Sequence, residues 1–85
     1  MEDQIPTWNN ASASLEASLM EIPGVTKARV RMYQGDDDWP DRYVVEAVHK
    51  GQIVRCSRYQ EEYPICSALM SAYEMVRDEI EARNK

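Results

Sequence analysis

Residues 36–41 gather Asp36, Asp37, Asp38 and Asp41 around Trp39. Several carboxylates in one loop suit a hard cation, because Ca²⁺ and Mg²⁺ take many oxygen ligands. The spacing lacks the alternating positions and later Glu of an EF-hand loop, so no metal is expected. The same loop suits recognition of a protein, with Trp39 as an anchor and the acids facing a basic partner. The plainer reading is a solvated connection whose Trp packs back on a sheet.

A second group of residues is basic. Lys27, Arg29 and Arg31 alternate with Ala28, Val30 and Met32, the period of a half-buried strand with a cationic outer row. The outer sheet face is expected to carry that row with Tyr33, Val44, Glu46, Val48, Ile53 and Arg55. Cations interleaved with an aromatic can bind phosphates and stack bases. Branched apolar residues among charges also suit a protein interface, including a homodimer through the sheet, or simply an ordinary solvent face.

Catalytic chemistry has little to work with. His49 is the one histidine, and Cys56 and Cys66 stand apart without CxxC spacing. Cys56 is expected to face the core while His49 lies at a turn, so the two do not form a nucleophile pair. The three glycines are widely spaced and build no phosphate loop. Glu61-Glu62 reads as a solvated stretch near a helix N-terminus. Tyr59 and Tyr63 either close the end of the core or join Trp39 in a contact patch. No enzyme activity and no cofactor are expected.

The elements that position these groups follow from periodicity. Trp8, Ala11, Leu15, Leu19 and Ile22 share one face of a helix over 7–22, with Thr7, Asn9 and Asn10 as candidate caps. Residues 1–6 read as a loose tail and 7–85 as one domain. Pro23-Gly24 ends the helix and a strand follows over 25–33. Strands over 42–49 and 52–57 are separated by Lys50-Gly51, a tight hairpin. A two-residue loop pairs Glu46 with Arg55 and sets Val45 and Ala47 opposite Cys56 and Val54 on the buried side. Lys is not the favoured first turn residue, so a loop one residue longer also fits. The last helix, over 64–82, has a stripe of Ile65, Leu69, Ala72, Val76 and Ile80 flanked by Ala68, Met75, Cys66 and Tyr73. The fold class is α+β: an α-β-β-β-α order with a three-stranded antiparallel sheet and two helices on one face.

Composition narrows the function classes. A chain of 85 residues holds one modest core. The net charge of −5 opposes non-specific binding to nucleic acid or anionic membrane. That charge is unevenly placed, since seven of the ten Lys and Arg lie between Lys27 and Arg58. No apolar run approaches the roughly 18 residues of a membrane span. The acidic N-terminal residues lack a secretory pattern, so a cytoplasmic protein with reduced cysteines is expected.

The α-β-β-β-α order resembles the double-stranded-RNA-binding domain. That family reads RNA with basic residues at the start of its last helix. The matching segment here is Gln60-Glu61-Glu62-Tyr63-Pro64, which is acidic, so the RNA-binding role does not carry over. The acidic character, the Ile22-Pro23-Gly24-Val25 entry into a strand, the Lys-Gly hairpin and the final helix also resemble small phage and prophage accessory proteins. Anti-CRISPR proteins and other host inhibitors are of this kind. The resemblance implies a protein that acts by occupying a host protein's surface.

Two function classes therefore stand. The first is a non-enzymatic protein-binding module using Asp36, Asp37, Asp38, Trp39, Asp41, Arg29, Arg31, Tyr33, Val48, Ile53 and Arg55. The second is a nucleic-acid-binding or regulatory domain using the basic sheet face.

Overall fold

The computed structural model describes residues 4–60 and 65–85, with side chains for 11–60 and 68–85. Helix α1 (Gln4–Met20) precedes strands β1 (Val25–Tyr33), β2 (Arg42–His49) and β3 (Gln52–Tyr59), and helix α2 (Ile65–Arg83) follows. The fold is α+β, with an open three-stranded antiparallel sheet in the order β1-β2-β3.

Helix α1 starts at Gln4, so 4–6 are helical rather than a loose tail, and Thr7, Asn9 and Asn10 lie inside the helix rather than capping it. Pro6 falls in the first turn, where no intrahelical N–H is needed. The rest of the expected tail, 1–3, lies outside the described residues. The helix stops at Met20, two residues before the expected end. Ile22-Pro23-Gly24-Val25 then forms a β-turn closed by the Val25 N–H donating to the Ile22 carbonyl at 3.1 Å. Pro in its second position and Gly24 at φ +90° in its third are the signature of type II.

The hairpin between β2 and β3 is the two-residue form. Lys50 and Gly51 both have positive φ, at 52° and 84°, which makes a type I′ turn. It sets the expected register: Glu46 opposite Arg55, Val45 opposite Cys56, Ala47 opposite Val54. β3 continues to Tyr59, beyond the expected end at 57. In β1 a bulge between Val25 and Lys27 inserts one residue. It lets Val25 turn inward while Lys27 turns outward, two positions that would otherwise share a face.

Both helices cover the same side of the sheet, α1 over β1 and α2 over β2 and β3. Leu19, Val30, Val45, Val54, Leu69, Val76 and Ile80 belong to one continuous core. Leu19, Val45, Val76 and Ile80 are fully buried, and each side chain contributes about 1.5–3 kcal/mol by leaving water. Leu15, Ile22, Ala28 and Cys56 pack against this core half-buried. Two methionines expected at or beside the core are exposed. Met32 lies near the end of an edge strand, with a strand neighbour on one side only, and Met75 lies on the rim of the α2 stripe. The side chains of Trp8, Ile65 and Cys66, and all of Glu61 to Pro64, lie outside the described residues.

The exposed edge of β1 is partly closed by α1. The Val30 N–H donates to Glu16 Oε2 at 2.7 Å. An edge strand presents unpaired backbone groups that invite another strand, and a carboxylate on one of them removes part of that template.

Candidate interaction surface

The face of the sheet turned away from the helices is uncovered. Register places its side chains in four rows: Lys27–Val48–Ile53, Arg29–Glu46–Arg55, Arg31–Val44–Ser57 and Tyr33–Arg42–Tyr59. Four of its cations were legible in the sequence. Arg42 is the addition: it shares the parity of Val44 and Glu46 and lies opposite Tyr33. Its guanidinium carbon sits 4.9 Å from the Tyr33 ring centroid, within cation–π range. Among the described residues of this face, Lys27, Arg29, Arg31, Arg42 and Arg55 stand against one carboxylate, Glu46. A protein of net charge −5 thus carries one strongly cationic surface.

The branched apolar residues of this face are less exposed than the sequence suggests. Val44 is buried and Val48 half-buried, whereas Ile53 is 64% exposed. The two valines lie in the central strand with neighbours on both sides, and the Arg31 and Lys27 stems opposite them in β1 can lie over them. The apolar content open to a partner is therefore carried by the edge residue Ile53 and by the aromatics Tyr33 and Tyr59, which are 48% and 46% exposed.

Trp39, in the loop joining Tyr33 to Arg42, belongs to the same end of the sheet and is 67% exposed. It does not pack back on the sheet. The loop is held by its own acids instead. Asp36 Oδ1 accepts from the Asp38 and Trp39 N–H groups at 2.9 and 3.0 Å, and the Asp36 N–H donates to the Trp39 carbonyl at 2.9 Å. Asp41 Oδ1 accepts from the Gly35 N–H at 2.7 Å, and the Asp41 carbonyl accepts from the Gln60 N–H at 2.8 Å. A Cβ on Gly35 would collide with the Trp39 carbonyl oxygen and the Pro40 backbone, so the chain closes this tightly only with glycine there. Asp36 and Asp41 thus shape the loop, while the exposed Asp37 and Asp38 accept no hydrogen bond within it. Among the described residues, no three His, Cys, Asp or Glu side chains are placed to hold a metal ion.

His49 and Cys56 are not brought together. Both face the helices, but Cys56 lies opposite Val45, four residues from His49 along β2, or about 13 Å. His49 is 2% exposed, and its Nε2 lies 2.9 Å from Asn84 Oδ1. Asn84 Nδ2 donates to the Pro23 carbonyl at 2.9 Å. The histidine therefore ties the hairpin to the end of α2 and the α1–β1 turn. Cys56 is a free thiol, half-buried. Elsewhere on α2, the side-chain hydrogen bond to Asp78 raises the Arg77 guanidinium above its ordinary value.

No helix among the described residues is long and apolar enough to cross a membrane. No protein-family model, curated protein or solved structure matches this chain.

Proposed function

We propose that this chain is a non-enzymatic protein-binding module whose uncovered sheet face docks on an acidic patch of a partner protein. The observation that carries the reading is the composition of that face. Cations run along it, and Tyr33, Tyr59 and Trp39 stand exposed at one end. Trp, Tyr and Arg are the residues that dominate binding energy at protein interfaces. Inhibition by occupying a host protein's surface, which the phage resemblance implies, would use this same face.

A nucleic acid is the second reading, favoured by tyrosines beside arginines, which can stack bases and hold phosphates. The net charge of −5 opposes it, because a nucleic acid is anionic along its whole length. An acidic patch on a protein is local and can end short of Asp37 and Asp38. Immobilised protein tests both readings. The protein-binding reading expects a stoichiometric protein in the eluate, unaffected by nuclease and reduced about tenfold by Trp39→Ala or Tyr59→Ala. A nuclease-sensitive complex with steep salt dependence supports the second reading instead.

A further inference from the structure

The two edges of the sheet are unequal. On β1 the Val30 N–H points to Glu16 and not to β2, so Val30 and Val45 form a non-hydrogen-bonded pair. Antiparallel pairing alternates. Val45 and Cys56 are therefore a hydrogen-bonded pair, and the backbone groups of Ile53, Arg55 and Ser57 point out along the free edge of β3. Within the described residues, the contact on that stretch is at the Ser57 carbonyl, which accepts from Arg58 Nη1 at 3.0 Å and lies 3.9 Å from Cys56 Sγ.

Beside this edge runs a groove of about 280 Å³ between β3 and α2. Val54, Cys56, Met75 and Val76 contribute its apolar lining, and Glu79 and Arg83, an ion pair at 3.1 Å, stand among its charged groups. A strand added to β3 would send alternate side chains into this groove and the others onto the outer face. On the outer face the row Arg29–Glu46–Arg55 already alternates in charge across the sheet. The next position in that row, beside Arg55, favours a carboxylate.

We infer that the free edge of β3 takes an extended peptide segment of a protein partner, with apolar residues turned into the β3–α2 groove and acidic residues turned outward beside Arg55. The inference rests on the protein-binding reading and adds where the partner's chain runs and which side chains it offers. Backbone hydrogen bonds to Ile53, Arg55 and Ser57 hold the segment, and the alternation of apolar and acidic residues selects it.

The test uses the full chain, isotope-labelled for NMR, and the capped peptide Glu-Val-Glu-Val-Glu-Val-Glu as probe. The expected result at about 1 mM peptide is a shift of the Ile53, Arg55 and Ser57 amides with exchange of the Arg55 amide proton slowed about tenfold. The corresponding Lys-Val peptide should bind about tenfold more weakly, and Arg55→Glu should invert that preference. Ser57→Pro removes an outward N–H without breaking an internal bond, and should abolish the shifts while the rest of the spectrum stays folded. The inference is overturned by no shift at that concentration, by shifts confined to Arg29 and Arg31 without Arg55 protection, or by binding that survives Ser57→Pro. Those outcomes leave the sheet-face reading standing if Trp39→Ala still reduces protein capture about tenfold, so the two can fail separately.

Discussion

The Glu16 carboxylate accepts the Val30 amide proton, Oε2 to N 2.7 Å, across fourteen residues of sequence. The contact fixes α1 along the outer edge of β1. Replacing Glu16 with Ala should cost about 1–2 kcal/mol, since a hydrogen bond to a charged group is lost at a half-buried site. Glu16→Gln keeps an acceptor and should cost less. Thermal denaturation reads the first effect, and amide exchange at Val30, faster in the Ala variant, reads the local one. Unchanged exchange at Val30 would show that the contact does not hold the edge.

His49 makes a second link of this kind. Asn84 must present Oδ1 to the ring because its Nδ2 donates to the Pro23 carbonyl. The neutral ring therefore carries its proton on Nε2, and nitrogen NMR should report an unprotonated Nδ1. Asn84→Leu leaves the buried Nε2–H without its acceptor and should cost about 1–3 kcal/mol. Equal stability of that variant and the parent would remove Asn84 as the support of the histidine.

Lys50 occupies a left-handed position at φ 52°, which side chains with a Cβ adopt at a cost. Asn is the favoured residue at the first position of a type I′ turn. Lys50→Asn should raise stability by about 0.5–1 kcal/mol without changing the register. A fall in denaturation midpoint would mean that Lys50 makes a compensating contact.

Much of this arrangement was legible in the sequence. Strict alternation located β1, and the two-residue form of the Lys50-Gly51 turn, one of the two loop lengths that fit the sequence, pairs Glu46 with Arg55 as observed. The β1–β2 register was not legible. It runs through the loop over 34–41, whose closure depends on Asp36 and Asp41 bonding to backbone, and so Arg42 over Tyr33 was missed. Exposure was the other gap. Val44 and Ile53 lie on the same face, yet one is buried and the other open, because exposure depends on whether a strand is central or at an edge. The start of α1 lies before Thr7, Asn9 and Asn10 although these residue types favour caps over helix interiors, because propensity is a weak preference that the rest of the fold overrides.

The loop acids make a further expectation about the site. Gly35→Ala should disrupt the closure at Trp39 while leaving the core intact, because the new Cβ meets backbone rather than a movable side chain. Partner capture should then fall as it does for Trp39→Ala, with the unfolding free energy lowered by no more than the roughly 1–3 kcal/mol expected of local strain. Full capture by Gly35→Ala would show that the set position of Trp39 is not used.

The most direct measurement of the central claim is the affinity of the captured protein partner for three forms of the chain. These are the parent, Lys27→Glu with Arg31→Glu on the sheet face, and Glu74→Lys on the exposed side of α2. Lys27 and Arg31 face Val48 and Val44, so reversing them creates no carboxylate directly opposite Glu46. The account predicts that the double variant binds about tenfold to a hundredfold more weakly, with stability changed by about 0.5 kcal/mol or less, while Glu74→Lys binds like the parent. Undiminished binding by the double variant, or loss with Glu74→Lys alone, would contradict it.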